Sequence, residues 1–165
     1  MPLKNRKSHY LAPISAVIAG SALLLTGCTN GADAPTRMIK QVTDGVEATS
    51  DQLKVRDFFI VAQEDGSGVI VGTIINSANK SDGITSITVN NKPVTLTPAL
   101  PVLATDTPAI FSGDTANTQG VVPTLGAIAG DRVPVVITFA NQAVIKLDAL
   151  IVAKTGDYAG VSAKK

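Results

Sequence analysis

The chain has 165 residues, 45% hydrophobic and only 4% aromatic, with 14 Lys and Arg nearly balancing 13 Asp and Glu. That length suits one domain with extra chain at its ends, and a near-neutral charge without a basic stripe excludes a nucleic-acid binder. One Cys and one His exclude a disulfide framework within the chain and a Cys/His metal cluster.

The N-terminus reads as an export signal. Lys4, Arg6 and Lys7 form a positive n-region, and residues 11–25 form an uncharged apolar stretch interrupted by Pro13 and Gly20. At about 15 residues this stretch has the length of a signal h-region and is too short for an ordinary spanning helix. Leu25-Thr26-Gly27-Cys28 then supplies a lipobox: an aliphatic residue, two small residues that let the chain lie extended in a peptidase, and a thiol able to accept diacylglycerol. The expectation is cleavage after residue 27, lipidation of Cys28, and a lipid-anchored protein on the extracytoplasmic side of the cell membrane. Two acyl chains at ~0.8 kcal/mol per buried methylene make such attachment stable.

Removing residues 1–27 leaves 138 residues with 11 basic groups (14 less three) against 13 acidic, a formal charge of −2. The only His, His9, is discarded, and lipidation consumes the only thiol. Residues 28–50, rich in Ala, Thr, Gly and Asp with Pro35, read as the lipidated Cys and a flexible tether spanning roughly 25 Å on average.

From Asp51 the pattern turns to short β-rich runs separated by Gly, Asn, Asp and Pro, which predicts an all-β antiparallel sandwich over residues 51–155. Residues 53–61 form the first strand. There Leu53 and Val55 are out of phase with Phe58 and Ile60, so a bulge is expected near Arg56 and Asp57. Residues 69–75, apolar on both faces, predict a central strand. Residues 84–89 and 94–97 flank Asn90-Asn91, two side chains that tolerate positive φ and predict a hairpin. Between residues 100 and 130 only short strands are expected, around Val102, Ile110 and Val121. Residues 133–139 and 145–151 alternate cleanly, and Pro134 places the first of them at an edge. Residues 156–165 are expected to be a disordered tail with Tyr158 as its one sticky residue.

Three stretches carry a resemblance: Gly72-Thr73-Ile74-Ile75-Asn76-Ser77 leading to Asp82-Gly83-Ile84, residues 120–130, and residues 130–141 with the run Gly130-Asp131-Arg132-Val133-Pro134. Together they resemble the periplasmic copper chaperone family PCu(A)C, and more closely the LpqE-like actinobacterial lipoproteins, over roughly residues 51–153. The resemblance implies an immunoglobulin-like or cupredoxin-like sandwich. In the copper chaperones it implies a Cu(I) site of two His and two Met. After residue 27 this chain has no His and only Met38, so no copper ligand carries over and no cofactor is expected. The LpqE-like resemblance implies an accessory subunit of the cytochrome bc–aa3 respiratory supercomplex.

The remaining residues offer little chemistry. Asp57, Asp82 and Asp114 suit hard cations but stand singly among Ser, Asn and Thr, and read as turn and strand-end residues. Asn76, Ser77, Asn79, Lys80 and Asp82 form the most polar loop; it is either a recognition surface at one end of the sandwich or a long hairpin connection held by Asx turns. Residues 113–120 form a second loop of similar kind. Without His or a free thiol, and with no Ser-x-x-Lys motif in an apolar context, no nucleophilic machinery is expected. Four Phe and one Tyr give no aromatic platform for a glycosidase. An enzyme is therefore not expected. The readings left are a non-catalytic interaction module at the membrane, a copper-chaperone-like metal or ligand carrier, and a structural lipoprotein of the cell envelope.

Overall fold

The computed structural model describes residues 44–141 and 144–163. The signal segment, Leu25, Thr26, Gly27, Cys28 and tether residues 29–43 lie outside the described residues. The elements, in chain order, are β1 (Val46–Ser50), β2 (Leu53–Ala62), β3 (Gly68–Asn76), β4 (Asp82–Val89), β5 (Lys92–Pro93), β6 (Thr95–Thr97), β7 (Val102–Leu103), β8 (Ala109–Ile110), β9 (Gln119–Val122), β10 (Arg132–Phe139), β11 (Ile145–Ala153) and a 3-10 turn (Gly156–Tyr158). The all-β expectation holds. Among the described residues no helix is long and apolar enough to cross a membrane.

One sheet carries β5, β4, β10 and the first part of β11; the other carries β6, β9, β3 and β2, with β1 beside β2 and β8 beside β3. β11 joins them. Its residues Ile145 to Leu150 pair antiparallel with β10, and Ile151 to Ala153 pair parallel with β2. At the opposite corner Val94 alone separates β5 from β6, so the chain itself bridges the two ends of the hydrogen-bonded path.

Alternation fills the space between the sheets. Leu53, Val55, Phe58 and Ile60 of β2 face Val135 and Ile137 of β10 and Ile84 and Ile87 of β4 in one core, all at most 1% exposed. Phe58 meets Phe111 edge-on, with ring centroids 6.5 Å apart. In β2 the register slips between Arg56 and Phe59, and two residues oppose Gly72 of β3. The bulge is where the phase change in the sequence put it. Asp57 adopts φ +50, and Gly72 adopts φ +143 with the space for a Cβ filled by the backbone of Arg56, Asp57 and Phe58 at 3.0–3.2 Å. The bulge keeps Phe58 and Ile60 in the core after Leu53 and Val55, and turns Phe59 and Val61 to the outer face.

The Asn90-Asn91 turn forms, but its returning arm is residues 92–93 and not the expected 94–97. Both residues have positive φ (49° and 59°) and β5 pairs back onto β4. The second arm then leaves β4, because β6 pairs with β9 in the other sheet. The short strands around Val102, Ile110 and Val121 are β7, β8 and β9, and β3 is central, flanked by β2 on one side and by β8 and β9 on the other.

Three further expectations need correction. Pro134 does not mark an edge, since β10 lies between β4 and β11. β4 ends at Val89 opposite Val135, and the Pro134 carbonyl accepts a bond from Asn90 N–H as the turn begins. A strand residue's N–H and C=O point to the same side, so the missing donor costs no ladder bond. The first strand starts at Val46, within the stretch read as tether: Val46 and Ala48 alternate toward the core and β1 pairs with β2. Finally, the described part of the 156–165 tail is ordered. Its Tyr158 ring packs edge-on against Phe59 at 5.1 Å, and Tyr158 with Val161 covers the outward-facing Phe59, Val61 and Val152.

Candidate functional site

The polar loop between β3 and β4 does not close a hairpin; it carries the chain from one sheet to the other. Asn76 is fully buried. Its Nδ2 donates to the carbonyls of Lys80 (2.8 Å) and Leu103 (3.0 Å), and its Oδ1 accepts from Ala78 N–H at 2.9 Å, an Asx turn. Asp82 is 5% exposed. Its Oδ1 accepts from the N–H groups of Gly83 (2.7 Å) and Asn141 (2.9 Å), tying β4 to the β10–β11 turn. Its Oδ2 is buried with no hydrogen-bond partner among the described residues. These two predicted recognition residues therefore brace the loop from within. Ser77 is half-buried, and Asn79 and Lys80 are exposed, so only these can meet a partner directly.

A second site combines segments far apart in sequence. The β8–β9 connection folds back on β8: Asn117 Oδ1 accepts from Ile110 N–H, Asn117 Nδ2 donates to the Pro108 carbonyl, both at 2.9 Å, and the N–H groups of Asn117 and Thr118 converge on the Ile110 carbonyl. Across from it runs the C-terminal segment, held by Tyr158 on Phe59 and by Lys154 Nζ donating to Ser162 Oγ at 3.0 Å. Between them lies an open cleft of about 720 Å³ lined by Thr97, Phe111, Ser112, Asp114, Thr118, Asp157 and Ser162 among others. The composition of residues 113–120 pointed to one wall. The other wall was missed, and the available signal was the run of outward apolar residues on β2 and β11, which needs a cover. The cleft offers hydroxyls, amides and two carboxylates with no basic side chain lining it. It can hold a polar ligand, and it contains no nucleophile–base pair for group transfer.

Tyr158 also closes the domain on itself. Its hydroxyl donates to Asp44 Oδ2 at 2.7 Å, linking the C-terminal segment to the residue just before β1. That bond to a carboxylate, with burial as a second cause, pushes the phenol up to about 12.

The order β5-β4-β10-β11-β2-β3-β9-β6 can be set beside known folds. No protein-family profile matches this chain, and neither does any curated protein. Solved structures do match: a copper-bound PCuAC domain from PmoF2 (13% identity, TM-score 0.57), an apo PCuAC domain from PmoF1 (16%, 0.58) and an apo PmoF2 PCuAC domain (12%, 0.55). Each match covers 66–67% of this chain and 98–99% of the other. The chain has the PCuAC fold. At these identities the likeness concerns the fold alone. The donor set does not fit copper: residues 44–163 contain no His, Met or Cys, and among the described residues no three Asp or Glu come together. Single carboxylates and amides are poor ligands for Cu(I), which selects thiolate and thioether sulfur and imidazole nitrogen.

Proposed function

We propose that this protein is a lipoprotein anchored through diacylglycerol on Cys28, exposing a PCuAC-fold domain that acts as a non-catalytic binding module and not as a copper carrier. The observation that carries the reading is the pairing of this fold with a domain empty of imidazole, thiol and thioether. The export signal and the Leu25-Thr26-Gly27-Cys28 box support the anchor. The resemblance to LpqE-like lipoproteins extends the reading to an accessory subunit of the cytochrome bc–aa3 respiratory supercomplex. Its surface for such a partner comprises Ser77, Asn79 and Lys80 at one end of the sandwich or the cleft beside the C-terminal segment. Tagged full-length protein extracted in mild detergent is expected to co-purify a membrane complex, identified by mass spectrometry. Recovery of the lipoprotein alone rejects the module reading, and recovery of a complex without cytochromes rejects the respiratory assignment.

The fold likeness to a copper-bound PCuAC domain supports a second reading, a metal carrier. Titrating the mature chain with Cu(I) against a competing chelator decides it, and binding tighter than the chelator's would establish a carrier.

A further inference from the structure

Among the described residues the large apolar side chains that are exposed are few: Leu100, Val102, Ile128 and Val144, at 66%, 73%, 73% and 45%. Three of them share one place. Val102 pairs with Gly83 while Leu103 pairs with the buried Asp82, so Val102 points outward beside a residue with no side chain. Leu100 has the same parity as Val102 and is likewise exposed, with Pro101 buried between them. Val144 precedes the buried Ile145 and points outward with Lys146. Ala140 N–H donates to the Gly83 carbonyl, so β7, β4, β10 and β11 lie side by side here and the patch is about 15 Å across at strand spacing. Lys146 borders it, and Lys80 stands exposed in the loop leading to β4. Asp148 shares this outer face, farther along β11 opposite Pro134, and Asp106 stands exposed in the loop after β7.

We propose that this outer face of β7, β4, β10 and β11 rests on the phospholipid surface that holds the chain. The proposal rests on the lipoprotein reading, and the size of the patch favours a bilayer over a second copy. Three aliphatic side chains expose a few hundred Å², whereas a stable protein pair buries about 800 Å² on each partner. A surface already within reach needs less. Fifteen residues separate Cys28 from Asp44, at most about 50 Å of extended chain, so anchoring makes even weak adsorption effectively intramolecular. Aliphatic side chains enter the headgroup boundary, and each lysine near an anionic leaflet adds attraction that salt screens.

The test uses the mature chain with Cys28→Ser, which isolates the face from the acyl anchor, and vesicles of phosphatidylcholine with phosphatidylglycerol. Co-sedimentation is expected, weakening with added salt. It should fall about tenfold in the Leu100→Ser/Val102→Ser chain, whose thermal unfolding stays unchanged because both side chains are exposed. No sedimentation, or sedimentation undiminished in the double variant, overturns the proposal. So does capture of a membrane protein through these residues without vesicle binding. The mass of the chain purified from membranes reports acylation of Cys28 separately, so a failed anchor and a failed face are distinguishable.

Discussion

Tyr158 is the single phenol left once residues 1–27 are removed, the other tyrosine being Tyr10, so alkaline titration of phenolate absorbance in the mature chain reports on it alone. The expected midpoint is about 12, falling toward the ordinary value of about 10 in Asp44→Ala. A raised folded value means the phenol's contribution to stability is fully present below pH about 10 and is lost as pH rises from there through about 12. A midpoint near 10 in the unmodified chain would show that the bond to Asp44 does not form. Gly72 gives a second prediction. Its φ of +143 and the backbone packed where a Cβ would stand make Gly72→Ala destabilising by about 1–3 kcal/mol, measured by denaturant unfolding, whereas Gly113→Ala, with open space around it, bears only the cost of its positive φ.

The C-terminal segment behaves as a strap across the outer face of β2 and β11. Deleting residues 156–165 uncovers Phe59, Val61 and Val152 and should cost of order 2–4 kcal/mol, since a fully buried aliphatic or aromatic side chain is worth about 1.5–3 kcal/mol. The truncated chain should also bind a hydrophobic dye that the intact chain ignores; unchanged stability and no dye binding would reduce the strap to a passive tail. This element also shows what the sequence could convey. The bulge at Asp57 was readable because a phase slip within one strand is local, and so was the Asn90-Asn91 turn, whose chemistry lies in two adjacent residues. The strap was not. A short polar run carrying one Tyr and one Val has no periodicity of its own, and it becomes ordered only because β2 is apolar on both faces after the bulge. Pro134 misled for a related reason: an edge and the end of a neighbouring strand both spare a proline's missing N–H, and only the register tells them apart.

Across the whole molecule, alternation in β10 and β11 fixed the inner face. The two corners, β11 crossing between sheets and β5 continuing as β6, depend on pairings between residues distant in sequence and left no local trace. The candidate site divides the same way. Want of soft ligands was plain from residue counts. The internal bracing role of Asn76 and Asp82 was not, because a polar loop reads alike whether its side chains face solvent or its own backbone. A domain held together by this core and these ladders should unfold at the same temperature with or without a strong chelator; a fall in Tm on chelation would reveal a structural metal. By mass action, Cu(I) at a hundred times its Kd would add about 2.7 kcal/mol to a true carrier.

The perimeter of the sheets has a consequence for crowding. Chains confined to a membrane meet their own copies far more often than in free solution, and strand edges are where β-proteins stick to one another. Among the described residues every strand longer than five residues is flanked on both sides, and those open on one side, β1, β5, β6, β7 and β8, have two to five residues. Because Val94 alone links β5 to β6, a lipid-anchored copy of this domain would present only short strand edges to its neighbours.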